Sequence, residues 1–246
     1  MNRLLGSTTT SLSRPQKLTC CALVALSALS TNIPAVQSFT TTAASTPNPI
    51  TSRSLFVTSS SKKMLSSTSC AAHSAGSLTI VQVPCLSDNY GYLIHDPKTG
   101  STAAVDTPEA KPYQTELSQR GWKLTHILNT HHHWDHTGAN EELKKGGVKV
   151  VGPVNEKAKI PGIDDAVGAG DVVEFGSTKA HVMDVGGHTK GHIAFYFPEE
   201  KTVFVGDSLF ALGCGKMFEG TPEQFWTSLK GLRELPDDTT VYWYAP

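Results

Sequence analysis

No acidic residue occurs before Asp88, although the 246-residue chain is near neutral overall, with 21 Lys+Arg against 22 Asp+Glu. Residues 1–77 carry six basic side chains (Arg3, Arg14, Lys17, Arg53, Lys62, Lys63), 29 Ser or Thr, and no aromatic residue but Phe39 and Phe56. Such a segment cannot bury enough apolar surface to offset the entropy of ordering it, so it is not a folded domain. The remainder holds 15 basic against 22 acidic residues. Phosphate backbones would repel it, which argues against a general nucleic-acid binder. Cysteine is scarce there too. Cys85 and Cys214 are too far apart for a thiolate zinc site and too few for a disulfide framework.

The leader reads as a targeting segment. Lys17 closes a basic region, and Leu18–Leu29 is an apolar run of 12 residues, short of the about 20 that span a bilayer as a helix. Val36 and Ser38 fit the small residues of a cleavage site before Phe39. A signal peptide over 1–38 and a transit-like stretch over 39–77 are therefore expected, with no membrane attachment in the mature form. The tandem resembles the bipartite plastid presequences of algae with secondary plastids. A plastid destination is expected, with mitochondrial or secretory routing as the alternative and Met64 as a conceivable internal start for a cytosolic form.

From residue 78 the pattern changes to short apolar strands and a few helices. Strands are expected at Leu78–Val83, Tyr90–His95, Thr102–Asp106, Leu124–Leu128, Val148–Val151, Asp171–Phe175, Lys179–Val185, Ile193–Phe197 and Thr202–Val205. Helices are expected at Glu109–Arg120, stopped by Gly121, at Gly138–Lys145, and at Pro222–Leu232 with Phe225, Leu229 and Leu232 on one face. Thr239–Tyr242 begins a last strand that is cut short. Two batches of strands with helices between them indicate a mixed α/β (α+β) fold of stacked sheets.

The chemistry is concentrated in Thr130-His131-His132-His133-Trp134-Asp135-His136, a His-x-His-x-Asp-His pattern that follows an apolar strand. His131 and His133 alternate and face one way if the strand continues. Asp135 and His136 follow the turn and can face a second ion. Imidazole and carboxylate donors suit zinc, and also iron or manganese. Trp134 reads as a packing residue, and His132 lies off the pattern. Downstream, Gly186-Gly187-His188-Thr189-Lys190-Gly191-His192 puts a histidine on a glycine-rich turn, and Gly206-Asp207 ends a strand with a carboxylate able to bridge two ions.

Taken in this order, the chain resembles the metallo-β-lactamase superfamily, and within it the glyoxalase II (hydroxyacylglutathione hydrolase) family. The resemblance rests on PCLSDNYGYLIHD (Pro84–Asp96), ILNTHHHWDHTGAN (Ile127–Asn140), IPGIDDAV (Ile160–Val167) and VGDSLFALGCGKMFEGTPEQ (Val205–Gln224). It implies an αββα sandwich over residues 78–246. It also implies one metal on His131, His133 and His188, and a second on Asp135 and His136, with Asp207 bridging. Lys216 and Phe218 fall at the family's substrate-contacting positions. The implied reaction is hydrolysis of S-D-lactoylglutathione to D-lactate and glutathione by a metal-activated hydroxide, oriented by Asp135 and held at Asp207, in a monomer. A persulfide dioxygenase-like iron enzyme is the enzymatic alternative.

The end of the sequence departs from the family's Val-Tyr-Cys-Gly-His-Glu-Tyr pattern. Val241-Tyr242-Trp243-Tyr244-Ala245-Pro246 aligns Ala245 with a histidine ligand of the second metal, and the family's helical C-terminal domain is not in the sequence. A C-terminally truncated chain, with a weakly held second ion and reduced thioesterase activity, is therefore expected. An inactive metal-binding fragment is the non-enzymatic alternative.

Overall fold

In the computed structural model, which describes residues 70–244, strand periodicity builds the layers. β2 (Leu78–Cys85) sends Leu78 and Ile80 to one face and Val81 and Val83 to the other. β3 (Asn89–His95) does the same with Tyr92 and Ile94 against Leu93. Because both faces are apolar, both must be covered. With β1 (Ala72–Ala75), β4 (Thr102–Val105), β5 (His126–Leu128), β6 (Lys149–Pro153) and β7 (Asp165–Val167) they form a seven-stranded sheet in sequential order. It is antiparallel through β4 and parallel from β4 to β7.

The second sheet has five strands in the order β12-β11-β10-β9-β8: β8 (Val172–Phe175), β9 (Thr178–Asp184), β10 (Ile193–Phe197), β11 (Thr202–Gly206) and β12 (Thr240–Trp243). β12 is a four-residue strand that pairs parallel to β11. Phe175, Val182, Phe195, Phe197 and Phe204 meet Leu78, Ile80, Ile94 and Leu128 of the first sheet in one buried core. Each fully buried aliphatic or aromatic side chain of this kind contributes about 1.5–3 kcal/mol of transfer free energy.

Outside the first sheet lies α1 (Ala110–Arg120), which packs Tyr113 and Leu117 on Val81, Leu93 and Ala104. Gly121 ends it in the left-handed conformation at φ 66°, as a C-terminal glycine does most cheaply. Outside the second sheet lies α4 (Pro222–Arg233), begun by a Thr221 cap on the Gln224 amide and packed through Leu232 on Val203 and Val205. The result is an αββα sandwich. Among the described residues no helix is long and apolar enough to cross a membrane.

Three expectations change. The sheet begins before Leu78, because β1 pairs with β2 from Ala72 to Ala75, and Ser77 is tied to Glu200 through its amide and hydroxyl. The signal-peptide and transit-like readings otherwise lie outside the described residues. The expected helix over 138–145 is shortened to a single turn, α3 (Asn140–Leu143), and a separate turn, α2 (Trp134–Thr137), precedes it. The Ala139 amide turns away to Thr107 O, and Asn140 is buried with its amide nitrogen on Asn129 and Pro161 O. Trp134 is exposed at 69% and packs on no core.

Candidate metal centre

Both sheets end at one edge, where β5 runs into the His131–His136 segment and β9, β10 and β11 bring His188, His192 and Asp207. Main-chain bonding joins the two halves there, with Ile193 N–H donating to Thr130 O at 2.9 Å. His131, His136 and His192 are wholly buried. Phe218, 58% exposed, stands edge-on to the His133 and His188 rings at the rim. Lys216 Nζ lies 4.8 Å from the Phe218 ring centroid.

Hydrogen bonding fixes which atom each imidazole presents. The Lys216 carbonyl can only accept, so His188 Nδ1 at 2.7 Å carries the proton and Nε2 faces the centre. Thr130 Oγ1 donates to Asp106 Oδ2 and accepts from His131 Nδ1 at 3.1 Å, which leaves His131 Nε2 inward. His136 Nδ1 donates to Asp106 Oδ2 at 2.9 Å. Imidazoles that hold metals are oriented by such partners.

The inward atoms form two groups. His131 Nε2 and His188 Nε2 each lie 3.0 Å from His133 Nδ1. With the His131 and His188 protons placed on Nδ1, two Nε2 lone pairs converge on His133 Nδ1. Burial holds His131 well below, and His133 and His188 below, the ordinary imidazole range, and neighbouring imidazoles add to this for His131 and His133. In the second group, His136 Nε2 is 3.5 Å from Asp207 Oδ1 and 3.7 Å from Asp135 Oδ2. His136 Nε2 and Asp207 Oδ1 are buried without a hydrogen-bond partner. Asp207 Oδ2 turns to His188 Nε2 at 3.3 Å, so its carboxylate spans both groups.

Converging lone pairs beside orphaned buried donors and acceptors are what a pair of divalent cations would satisfy, and the nitrogen and carboxylate set suits them. Burial disfavours a charged His136, but the Asp106 and Asp207 carboxylates outweigh it and push His136 up to about 10. A cation entering there competes with the Nε2 proton. For Asp207 burial is likewise opposed, by His136 above all, and the carboxyl is held below its ordinary value.

The arrangement thus brings His131, His133, Asp135, His136, His188 and Asp207 together, with Lys216 and Phe218 at the rim. Three participants were not singled out from sequence. Asp106 accepts from Thr130 N–H, Thr130 Oγ1–H and His136 Nδ1–H. His192 stacks on His131 at 4.4 Å and accepts the Asp207 amide through Nε2. Tyr244 covers the His136 ring at 3.6 Å between centroids, and its hydroxyl donates to the Asp135 carbonyl. Asp106 had a visible signal, since Asp106-Thr107 ends β4 much as Asp207-Ser208 ends β11.

Known proteins resemble the chain in sequence and in fold. Hydroxyacylglutathione hydrolase of Erythrobacter litoralis is 54% identical over 166 residues, 67% of this chain and 66% of that protein. Its counterpart from Hyphomonas neptunium is 52% identical over 166 residues, 67% and 65% of the two chains. The chain thus spans just under two thirds of these relatives' lengths. Among solved structures, ETHE1 from Myxococcus xanthus superposes with a TM-score of 0.62 at 30% identity, over 68% of this chain and 75% of that one. TTHA1623, solved in a di-iron-bound form, gives 0.57 at 27% identity over 67% and 90%. The sequence model of the metallo-beta-lactamase superfamily matches residues 92–242, which contain every residue of the two donor groups, and the chain belongs to that superfamily.

Proposed function

We propose that the chain is a metal-dependent thioesterase that hydrolyses S-D-lactoylglutathione to D-lactate and glutathione. The observation that carries the reading is the pair of donor groups joined through Asp207 beneath a rim formed by Lys216 and Phe218. His131, His133 and His188 would hold one divalent ion, and Asp135 and His136 the other, with Asp207 between them. Zinc, iron and manganese all suit these donors. Ions in such a site supply hydroxide at neutral pH and a Lewis acid for a developing oxyanion. Asp135, whose Oδ2 accepts from Asn89 Nδ2 at 3.3 Å, would orient the attacking oxygen. Lys216 offers its ammonium to a carboxylate of the glutathione moiety, and Phe218 its ring to the peptide. The acyl carbon–sulfur bond breaks as the new carbon–oxygen bond forms, and the thiolate, with a parent pKa near about 8.5, needs no strong acid to leave.

The test is loss of thioester absorbance on mixing S-D-lactoylglutathione with the zinc- or iron-reconstituted chain, with D-lactate and free thiol measured in equal amounts. No turnover with both positions loaded would sink the reading. Tyr244 favours a second reading, in which the chain holds one ion firmly and turns over slowly. Among the described residues the second position gathers His136 and Asp207 with His131 beside them, Asp135 Oδ2 stands 3.7 Å from His136 Nε2, and the Tyr244 ring lies over His136. Metal content after dialysis separates the two, at two ions per chain or one. We also propose plastid import through residues 1–77, read out by the location of a fluorescent protein fused behind them.

A further inference from the structure

We infer that Glu156 is a positioning residue of the metal centre, a buried carboxylate that brackets the two ligand-bearing loops against each other. It lies in a short 3-10 turn after β6, in neither of those loops. Its two oxygens divide between them. Oε2 accepts from the His132 amide at 2.9 Å and from His132 Nδ1 at 2.8 Å. Oε1 accepts from the Gly191 amide at 2.9 Å. His132 stands between the donors His131 and His133, and Gly191 follows the donor His188 and precedes His192. One side chain therefore fixes the main chain beside all three histidines of the first group, from a third element.

The approach is built on both sides. A Cβ on Gly191 would lie 2.7 Å from Glu156 Cγ and 2.9 Å from Asn155 Cβ, so only glycine lets the amide reach the carboxylate. His132, which presents no atom to the donor groups, is explained as well. Its Nδ1 proton goes to Glu156, and its Nε2 lies 3.3 Å from Lys159 Nζ, which also reaches Glu219 at 3.1 Å. His132, Glu156 and Glu219 come close enough to hold a cation of their own. The lysine ammonium already lies between His132 and Glu219, however, and all three Glu156 contacts are N–H donors, so the trio is a closed charge network. Donor atoms must sit within about 0.5 Å of their productive positions. The bracket limits relative movement of two loops that belong to different sheets.

The inference rests on the centre being a metal site, and the experiment separates the two claims. Cobalt(II) is titrated into metal-free wild type and the E156Q, E156D and E219Q variants, following the d–d absorption bands and competing with a chelator. Wild type is expected to bind. E156Q, which keeps the volume but not the charge, should lose about 10–100-fold in affinity for the first equivalent and change its band positions, as supporting residues of metal ligands do. E219Q removes the charge of a partly exposed partner of the same network while leaving an acceptor for the Lys190 amide at 3.2 Å, and should stay within about fivefold, the range of an exposed ion pair. If E156Q fails to fold by circular dichroism, E156D, one methylene short of bridging both loops, carries the comparison. Wild-type affinity and bands in the folded Glu156 variant would overturn the positioning role alone. An equal loss in E219Q would overturn it as well. Failure of wild type to bind cobalt would overturn the metal reading and the proposal together.

Discussion

Asp106→Asn is the sharpest probe of how the second donor group is set. Asp106 is buried at the end of β4, with a positive φ of 52°, and accepts three hydrogen bonds at 2.8–2.9 Å. Hydrogen bonds to a charged group contribute about 1.5–3 kcal/mol each, and truncating one member of a buried charge pair costs about 3–5 kcal/mol. Asp106→Ala should therefore destabilise the protein by about 3–5 kcal/mol, or roughly 6–20 °C in Tm at about 2–4 °C per kcal/mol for a domain of this size. The asparagine variant tests mechanism rather than bulk stability. Its oxygen can still accept the Thr130 amide, but its NH2 now faces His136 Nδ1. The ring proton is then driven to Nε2, the atom aimed at Asp207, and a protonated Nε2 offers no lone pair to a cation. Folded Asp106→Asn should bind the first ion as wild type does and the second about 10–100-fold more weakly. In the metal-free protein the change is visible in the long-range nitrogen–proton NMR correlations of His136, doubly protonated beside the Asp106 carboxylate and neutral with its proton on Nε2 in the variant. Two ions bound at wild-type affinity with the proton still on Nδ1 would refute the argument.

Further outcomes follow from other contacts. Asp96 ties the β3–β4 turn to the β8–β9 turn through Lys98 N, Thr99 Oγ1 and Ser177 N; burial opposes its charge, but these donors hold it at about 2. Asp96→Ala should cost about 2–4 kcal/mol in urea unfolding, and a loss below 1 kcal/mol would mean the turns are held by packing instead. Gly206→Ala should yield little folded protein, because Gly206 has φ 51° and a Cβ there would lie 2.4 Å from Thr130 Oγ1; normal expression and melting would contradict this. Burial holds His131 well below its ordinary range and His192 at about 3. The unfolded chain protonates both near 6.5, so the stability they contribute is intact above that pH and is lost as pH falls from 6.5 toward 3. The slope is about 1.4 kcal/mol per pH unit for each imidazole. Urea unfolding in chelator at pH 7 and pH 5 checks this, and equal stability at the two would count against it. Lys216→Ala should raise KM for the glutathione thioester with little change in kcat, and a fall in kcat alone would remove Lys216 from the rim's role.

Much of this was legible because it rests on local rules. The alternation of Leu78, Ile80, Val81 and Val83 gives a strand covered on both faces, and Gly121 marks the end of α1. The donor residues could be read because a His-x-His-x-Asp-His run states its chemistry in residue types. What could not be read depends on partners distant in sequence. β1 and β7 are edge strands held by main-chain pairing, so AHSA and DAV carry no apolar pattern. The helix expected from 138 starts only at Asn140, whose side chain is bonded to Asn129 and Pro161, and stops at Lys144, where ψ turns to 58°, and no local preference encodes either. Trp134 looked like core and is exposed, because apolar character alone does not say which side of a turn faces solvent. Glu156 reads as one more charged residue until the fold brings His132 and Gly191 to it.

The sequential order of the sheets has a temporal consequence. Every strand of the first sheet lies between residues 72 and 167, and every strand of the second between 172 and 243. The first sheet can therefore pair its strands on the ribosome before the second is synthesised. Asp207 follows the end of β7 by about 40 residues, which is roughly 2–8 s of synthesis at about 5–20 residues per second. During that interval His131, His133, Asp135 and His136 stand at the edge of half a sandwich, lacking His188 and Asp207. An ion captured then would meet an incomplete set of donors. Neither half alone offers the full donor set, which exists only where the two sheets meet.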